Sequence, residues 1–318
     1  MSKTDSHHRS NSIPLPFNPS PFPHPQGKIA GKTVLLTGAS RGIGEHIARA
    51  LAAKQATVIG VSRSPEGLER ICAEVNNLGG KGVSMPFDIS NVAELPTLIQ
   101  QIEQRFGGVD ILINNAGIEI YRAFSDYSLA EIQSVLSINL IAAMELTRLV
   151  LPGMLNRSSG HIVNIASLAA KKGHPYDSIY SASKAGLLMW ADALRQELAT
   201  TGVGISTICP GYISGQGMMA DTGVPAPSLA GTSTPAQVAI ALIKAIEQNQ
   251  GEVLVNGDPV TANLTKLLFA ISQFSPSFGD TVNRLLGVTK LNRLRIEKQT
   301  QVESRRHQAN LVKTEATR

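Results

Sequence analysis

Lys32-Thr33-Val34-Leu35-Leu36-Thr37-Gly38-Ala39-Ser40-Arg41-Gly42-Ile43-Gly44-Glu45-His46-Ile47-Ala48-Arg49-Ala50-Leu51 joins an apolar run with β-branched residues to a glycine-rich turn and then to a segment of helical spacing. That order predicts strand, loop and helix. Gly38, Gly42 and Gly44 permit a tight turn and close approach of the backbone to a pyrophosphate. The charge of such a group suits a helix N-terminus, with its unpaired N–H groups and positive dipole end. The spacing is G-x-x-x-G-x-G, not the usual G-x-G-x-x-G, and an ordinary strand-to-helix turn would carry the same residues.

Later segments repeat the pattern. Asp110-Ile111-Leu112-Ile113-Asn114-Asn115-Ala116-Gly117 reads as a buried parallel strand ending in a polar turn, the place where ligands sit in open α/β sheets. Gly160-His161-Ile162-Val163-Asn164-Ile165-Ala166-Ser167 delivers a serine to a strand's carboxyl end. Next comes Tyr180-Ser181-Ala182-Ser183-Lys184, whose (i, i+4) spacing puts a phenol and an ammonium on one helix face. A free tyrosine ionises near about pH 10, and a nearby cation favours the phenolate, so this pair can exchange protons near neutrality. By itself such a pair is more often a solvated helix face. A further strand, Val203-Gly204-Ile205-Ser206-Thr207-Ile208-Cys209, turns at Pro210-Gly211.

Taken together, these segments resemble the short-chain dehydrogenase/reductase family, in particular its Tyr-x-x-x-Lys oxidoreductases. The match runs from about Gly31 to Gly257, through Thr37 to Gly44, Asn114-Asn115-Ala116-Gly117, Asn139, Ser167, Tyr180, Lys184 and Pro210-Gly211, in order and at family spacing. The resemblance implies that Tyr180 is the general acid protonating a carbonyl oxygen as hydride reaches carbon, or the base in reverse. It implies that Lys184 holds the nicotinamide ribose and that Ser167 donates a hydrogen bond to the substrate oxygen. Asn139, in Ser137-Ile138-Asn139-Leu140, would hold a water linking Lys184 to solvent; its plainer reading is a mid-helix polar residue bonding the local backbone.

The same resemblance implies a cofactor set of Gly38, Ser40, Arg41, Gly42, Ile43, Gly44, Arg63, Asp88, Ile89, Asn115, Ala116, Gly117, Tyr180, Lys184, Pro210, Gly211 and Ile213. Charge predicts which nicotinamide. An acidic residue after the second strand binds the free ribose 2′-hydroxyl of NAD(H), whereas arginine accommodates the 2′-phosphate of NADP(H). Here Thr57-Val58-Ile59-Gly60-Val61 ends in Ser62-Arg63-Ser64, and Arg41 offers a second guanidinium, so NADP(H) is expected over NAD(H). Asp88 resembles the family's adenine contact, although before Ser90 it is also a helix-start signal. Two departures stand out. Gly215 falls where many members place a threonine against the nicotinamide carboxamide, leaving Ser214 as a substitute, and the chain continues well past the last strand.

Length and composition, 318 residues with 42% hydrophobic, fit one α/β domain with extensions. The expected fold is a single Rossmann-type, doubly wound parallel sheet with helices on both faces. Strands are expected near 32–37, 57–62, 82–87, 110–114, 160–166, 203–209 and 252–256, and helices notably over Leu129–Met154 and Tyr180–Ala199. Residues 1–27 read as a disordered Pro/Ser-rich arm, 28–258 as the catalytic domain and 259–318 as a helical, basic extension. From Thr289 to Arg318 there are eight Lys/Arg and three Glu, and 8 − 3 = +5 equals the formal charge of the whole chain, so the body is near neutral and nucleic-acid binding is not expected. Cys72 and Cys209 make no disulfide framework or zinc spacing, and no metal site is expected.

No stretch is expected to span a bilayer, which predicts a cytoplasmic protein with peripheral membrane contact through the extension as its membrane option. The continuation past the last strand resembles members that act on lipophilic ketones, aldehydes and alcohols. The loop from Ser214 to Ser233, with Met218, Met219, Pro225 and Pro227, would be a mobile substrate lid. A small carbonyl or alcohol substrate and a homodimer or homotetramer follow from the resemblance. The competing reading is a catalytically silent nucleotide-binding scaffold whose basic tail docks a partner.

Overall fold

A computed structural model describes residues 29–227 and 230–301; the expected disordered arm and the last part of the basic tail lie outside the described residues. In chain order the elements are β1 (Thr33–Thr37), α1 (Ile43–Ala52), β2 (Thr57–Ser62), α2 (Pro65–Asn77), β3 (Lys81–Pro86), α3 (Leu95–Phe106) and β4 (Ile111–Asn114). Then follow α4 (Leu129–Leu136), α5 (Ala142–Asn156), β5 (Gly160–Ile165), α6 (Ser178–Glu197), β6 (Val203–Pro210), β7 (Tyr212–Ile213) and α7 (Met218–Asp221). The chain continues with β8 (Thr232–Ser233), α8 (Pro235–Gln248), β9 (Glu252–Val255), α9 (Pro259–Phe274) and α10 (Pro276–Leu285). A last helix, α11, covers residues 288–301.

The main sheet has seven strands in the order β3-β2-β1-β4-β5-β6-β9, all parallel. Its strand order reverses between β1 and β4, which opens a crevice at their carboxyl ends. Helices cover both faces, which is why β6 is buried along its whole length and Val34, Leu35 and Leu36 are fully buried. One core layer joins Ile47, Leu51, Leu242 and Ile246 to the sheet; the other joins Leu98, Ile102, Leu146, Val150 and Leu194.

One expectation is corrected. Leu129–Asn156 forms a 28-residue helical stretch containing an 18-residue window of mean hydropathy 1.6, long and apolar enough by length and composition to cross a membrane. Packing on the sheet accounts for that character, because Val135, Ile138, Ala142, Leu146, Val150 and Met154 along it are buried. Between α4 and α5 the stretch widens into a π-helical turn at Ser137–Ile141, and Asn139 sits inside that turn.

Past β9 the extension is helical, as expected, and α11 folds back over the carboxyl edge of the sheet. Asn292 Nδ2 donates to Pro175 O at 2.8 Å, Arg293 Nε to the Tyr176 hydroxyl at 2.7 Å and Lys298 Nζ to Gly223 O at 2.6 Å. Tyr121 N donates to Gln299 Oε1 at 3.1 Å. Outward, α9 and α10 expose Leu264, Leu267, Phe274 and Leu285.

Candidate active site

The crevice is framed by a knot between the ends of β1 and β4. Thr37 Oγ1 accepts from Asn115 N at 3.0 Å and from Ala116 N at 3.1 Å. Asn115 Nδ2 donates to Thr37 O at 2.9 Å and Gly38 O at 3.1 Å. The glycine loop is thereby tied to the Asn-Asn-Ala-Gly turn. Gly38 has φ 67°, and a Cβ there would stand 2.9 Å from Ala116 Cα. At Gly44 a Cβ would meet Gly38 O at 2.0 Å, so this glycine lets α1 start directly beneath the loop.

The loop opens into a cavity of about 520 Å³. Gly38, Ser40, Arg41, Gly42 and Ile43 line one end, with Arg63, Asp88 and Ile89 beyond them. Asn115, Ala116 and Gly117 form its middle, and Pro210, Gly211 and Ile213 border the far half together with Ser167, Tyr180 and Lys184. Gly44 and Asn139 stand behind this wall. At the end of β2 the lining residues are Val61, Ser62, Arg63 and Ser64, and Glu66 Oε2 accepts from Ser64 Oγ at 3.3 Å just beyond them. Arg41, expected to serve the 2′-phosphate with Arg63, forms an ion pair with Asp221 of α7. Asp88 lines the cavity while its Oδ1 accepts from Ser90 N at 3.0 Å.

In the far half, β5 delivers Ser167 and α6 delivers Tyr180 and Lys184. Ser167 is within hydrogen-bonding reach of the Tyr180 hydroxyl. Lys184 Nζ donates to Ile165 O at 2.8 Å and lies 5.7 Å from the Tyr180 ring centroid. Asn139 makes long-range bonds, not local ones. Its Oδ1 accepts from Ile118 N at 2.8 Å, and its Nδ2 donates to Ile118 O at 2.9 Å and Ser183 Oγ at 3.0 Å. Ser183 Oγ in turn donates to Tyr180 O at 2.7 Å, so the π turn is clamped to the helix that carries the phenol. Ser214 is held by the short β7–β8 pair, its Oγ donating to Ser233 O at 3.3 Å.

Burial pushes the Lys184 ammonium down to about 8. Tyr180 moves the opposite way from the sequence-based expectation. Burial first, then the carboxyls of Glu119 and Asp177, hold its phenol well above its ordinary value, and only the Ser167 hydrogen bond opposes them. A cation beside the ring does not outweigh desolvation of a phenolate. Glu119 and Asp177 were not anticipated from sequence, although each carried a signal. Glu119 follows the polar turn after β4, and Asp177 lies one helical turn ahead of Tyr180.

The roof of the cavity comes from Tyr212, Met218 and Met219 of α7, and Phe269, Val282 and Leu286 of the extension. It is largely apolar. Cys209, buried below, has its thiol pushed up to about 12 by burial.

Comparison with known proteins places this geometry. A family model described as short chain dehydrogenase matches residues 32–223. The chain is 58% identical over 269 residues to the ketoacyl reductase HetN of Nostoc sp., covering 85% of this chain and 94% of that protein. It is 36% identical over 185 residues to the 3-oxoacyl-[acyl-carrier-protein] reductase FabG of Vibrio cholerae, covering 58% of this chain and 75% of that one. Among solved structures, a metagenomic short-chain oxidoreductase in complex with NADP superposes with a TM-score of 0.64 at 30% identity, covering 73% of this chain and 99% of that chain.

Proposed function

Given that the chain belongs to the short-chain dehydrogenase/reductase family and is therefore an oxidoreductase of carbonyl and alcohol groups, we propose that it reduces the ketone of a lipophilic 3-oxoacyl chain with NADPH. The observation that carries this reading is a Ser-Tyr-Lys group at the floor of a cavity whose roof is apolar and built by the C-terminal extension. The ketoacyl reductases among its relatives support the substrate class.

In this reading Gly38, Ser40, Gly42 and Ile43 receive the pyrophosphate on backbone N–H groups, with Gly44 allowing the close turn. Arg63, with Arg41 near it, takes the 2′-phosphate; Asp88 and Ile89 flank the adenine; Asn115, Ala116 and Gly117 pack on the adenosine side. Pro210, Gly211 and Ile213 border the nicotinamide end, and Lys184 holds its ribose hydroxyls. Bound NADPH supplies the hydride. Ser167 donates to the carbonyl oxygen, whose charge grows as the hydride arrives, and Tyr180 delivers the proton to that oxygen. Asn139 keeps the π turn fixed against α6, and a water there would connect Lys184 to solvent. Exposed Leu129, Ile141, Leu155 and Met189 on α4, α5, α6 and the turn between them support a homodimer or homotetramer.

A series of 3-oxoacyl thioesters of increasing length tests the substrate class. The value of kcat/KM is expected to rise with chain length, each buried methylene contributing at most about 0.8 kcal/mol. In Phe269→Ala the slope is expected to flatten. Equal values at all lengths would remove the lipophilic reading while leaving carbonyl reduction in place.

A further inference from the structure

Asp177 occupies the N-cap of α6, the helix that carries Tyr180 and Lys184, yet its carboxyl caps nothing. An aspartate at that position ordinarily accepts a backbone N–H and stabilises a helix by about 1 kcal/mol. Here the residue is fully buried, and neither carboxyl oxygen receives a bond from any N–H group. What it faces is another carboxyl. Glu119 lies within hydrogen-bonding reach of Asp177, and the Tyr121 hydroxyl reaches Glu119 as well. Two carboxyls in contact, with no cation bridging them among the described residues, cannot both be ionised.

The cations facing the pair are Lys184, from α6 itself, and Arg295 from α11. Tyr121, Tyr127, Tyr180 and Tyr212 surround it, and His174 faces Arg295. Arg295 is wholly buried, donating to Asn292 Oδ1 and, at 3.0 Å, to Pro225 O, while its Nε has no acceptor. Its guanidinium lies 5.4 Å over the Tyr121 ring and 5.8 Å over the Tyr212 ring. It acts on the carboxyls across those rings, without touching them.

We propose that Glu119 and Asp177 hold one proton between them beside Tyr180, and that Arg295 is a positioning residue balancing the remaining charge, so that the C-terminal extension sets the working pH of the reaction. The pair then carries one negative charge and Arg295 one positive charge, and Tyr180 faces a balanced site. Neither carboxyl needs to touch substrate for this.

The shared proton is read without turnover. At neutral pH the infrared difference spectrum of the parent minus Glu119→Gln is expected to show the C=O stretch of a protonated carboxylic acid, and parent minus Asp177→Asn the same band. Each amide imitates the protonated partner, so either single variant leaves one ionised carboxylate and no acid. Absence of the band in the parent, or its survival in a single variant, overturns the shared proton.

The charge balance is read from the pH profile of kcat/KM for NADP⁺-dependent oxidation of a 3-hydroxyacyl thioester, which needs the tyrosinate. This kinetic arm rests on the proposed reductase reading; the infrared arm does not, so the two can fail separately. Arg295→Met is expected to raise the midpoint by about one pH unit, the effect of one charge felt at roughly 10 Å. Arg295→Lys should hold it near the parent value, each single amide variant should move it little, and the Glu119→Gln/Asp177→Asn double variant should lower it. Adding Arg295→Met to the double variant should restore the parent midpoint. Should Arg295→Met not fold, Arg295→Gln takes its place with the same expected rise. A midpoint unmoved in the folded variants overturns the role of Arg295.

Discussion

Tyr180 stands under opposed influences: burial and the Glu119–Asp177 pair disfavour its phenolate, and Ser167 favours it. In the reductive direction a protonated phenol is the form required, so this environment suits an acid. Tyr180→Phe is expected to lower kcat by roughly 10²- to 10⁴-fold with little change in NADPH affinity, the usual share of a positioned general acid. Ser167→Ala should cost roughly 10²-fold or more, seen in steady-state turnover. At the adenosine end, Arg63→Ala should weaken NADPH binding in a fluorescence titration and leave NADH binding nearly unchanged. Equal loss for both nucleotides would move Arg63 off the 2′-phosphate. Ser167, Tyr180 and Lys184 were legible in sequence because strand end and helical spacing each place a side chain. Asp177 and Arg295 were not, because their environment depends on how α11 folds back over the carboxyl edge of the sheet, which no local spacing records.

Among the elements, the strand-loop-helix unit was the most legible, since its glycines meet steric demands that can be stated atom by atom. With a Cβ at Gly44 placed 2.0 Å from Gly38 O, Gly44→Ala must shift α1 or the loop. It is expected to destabilise the fold by about 1–3 kcal/mol and to weaken NADPH binding, measured by thermal unfolding and titration. A variant as stable and as tight as the parent would show that the loop has slack. The stretch Leu129–Asn156 was legible as a helix but not as an interrupted one. Nothing in its apolar spacing marks the π turn, from which Asn139 reaches both Ile118 and Ser183.

For the whole molecule, a doubly wound sheet of seven strands followed from the alternation of strand and helix patterns, whereas the order of the strands is read only from the structure. The burial of Arg295 did not follow, because nothing in the basic run from Thr289 onward marks one arginine as an interior group. That burial has a consequence for stability. His174, stacked on Tyr212 at 6.1 Å, is pushed down to about 4, first by burial and then by Arg295. Unfolded histidine titrates near about 6.5, so between these values the unfolded chain binds more protons. Stability present above about pH 6.5 is therefore lost as pH falls through about 4. Thermal midpoints should fall over that window, and less steeply in His174→Gln; equal slopes would remove His174 as the cause.

The central claim is that this cleft reduces a ketone with NADPH and takes the proton from Tyr180. The most direct measurement is loss of NADPH absorbance on mixing with a long-chain 3-oxoacyl thioester, with Tyr180→Phe in parallel. Turnover in the parent that collapses in the variant, while both bind NADPH equally, is the expected result. Equal turnover in the two, or none in a parent that binds NADPH saturably, would contradict the account.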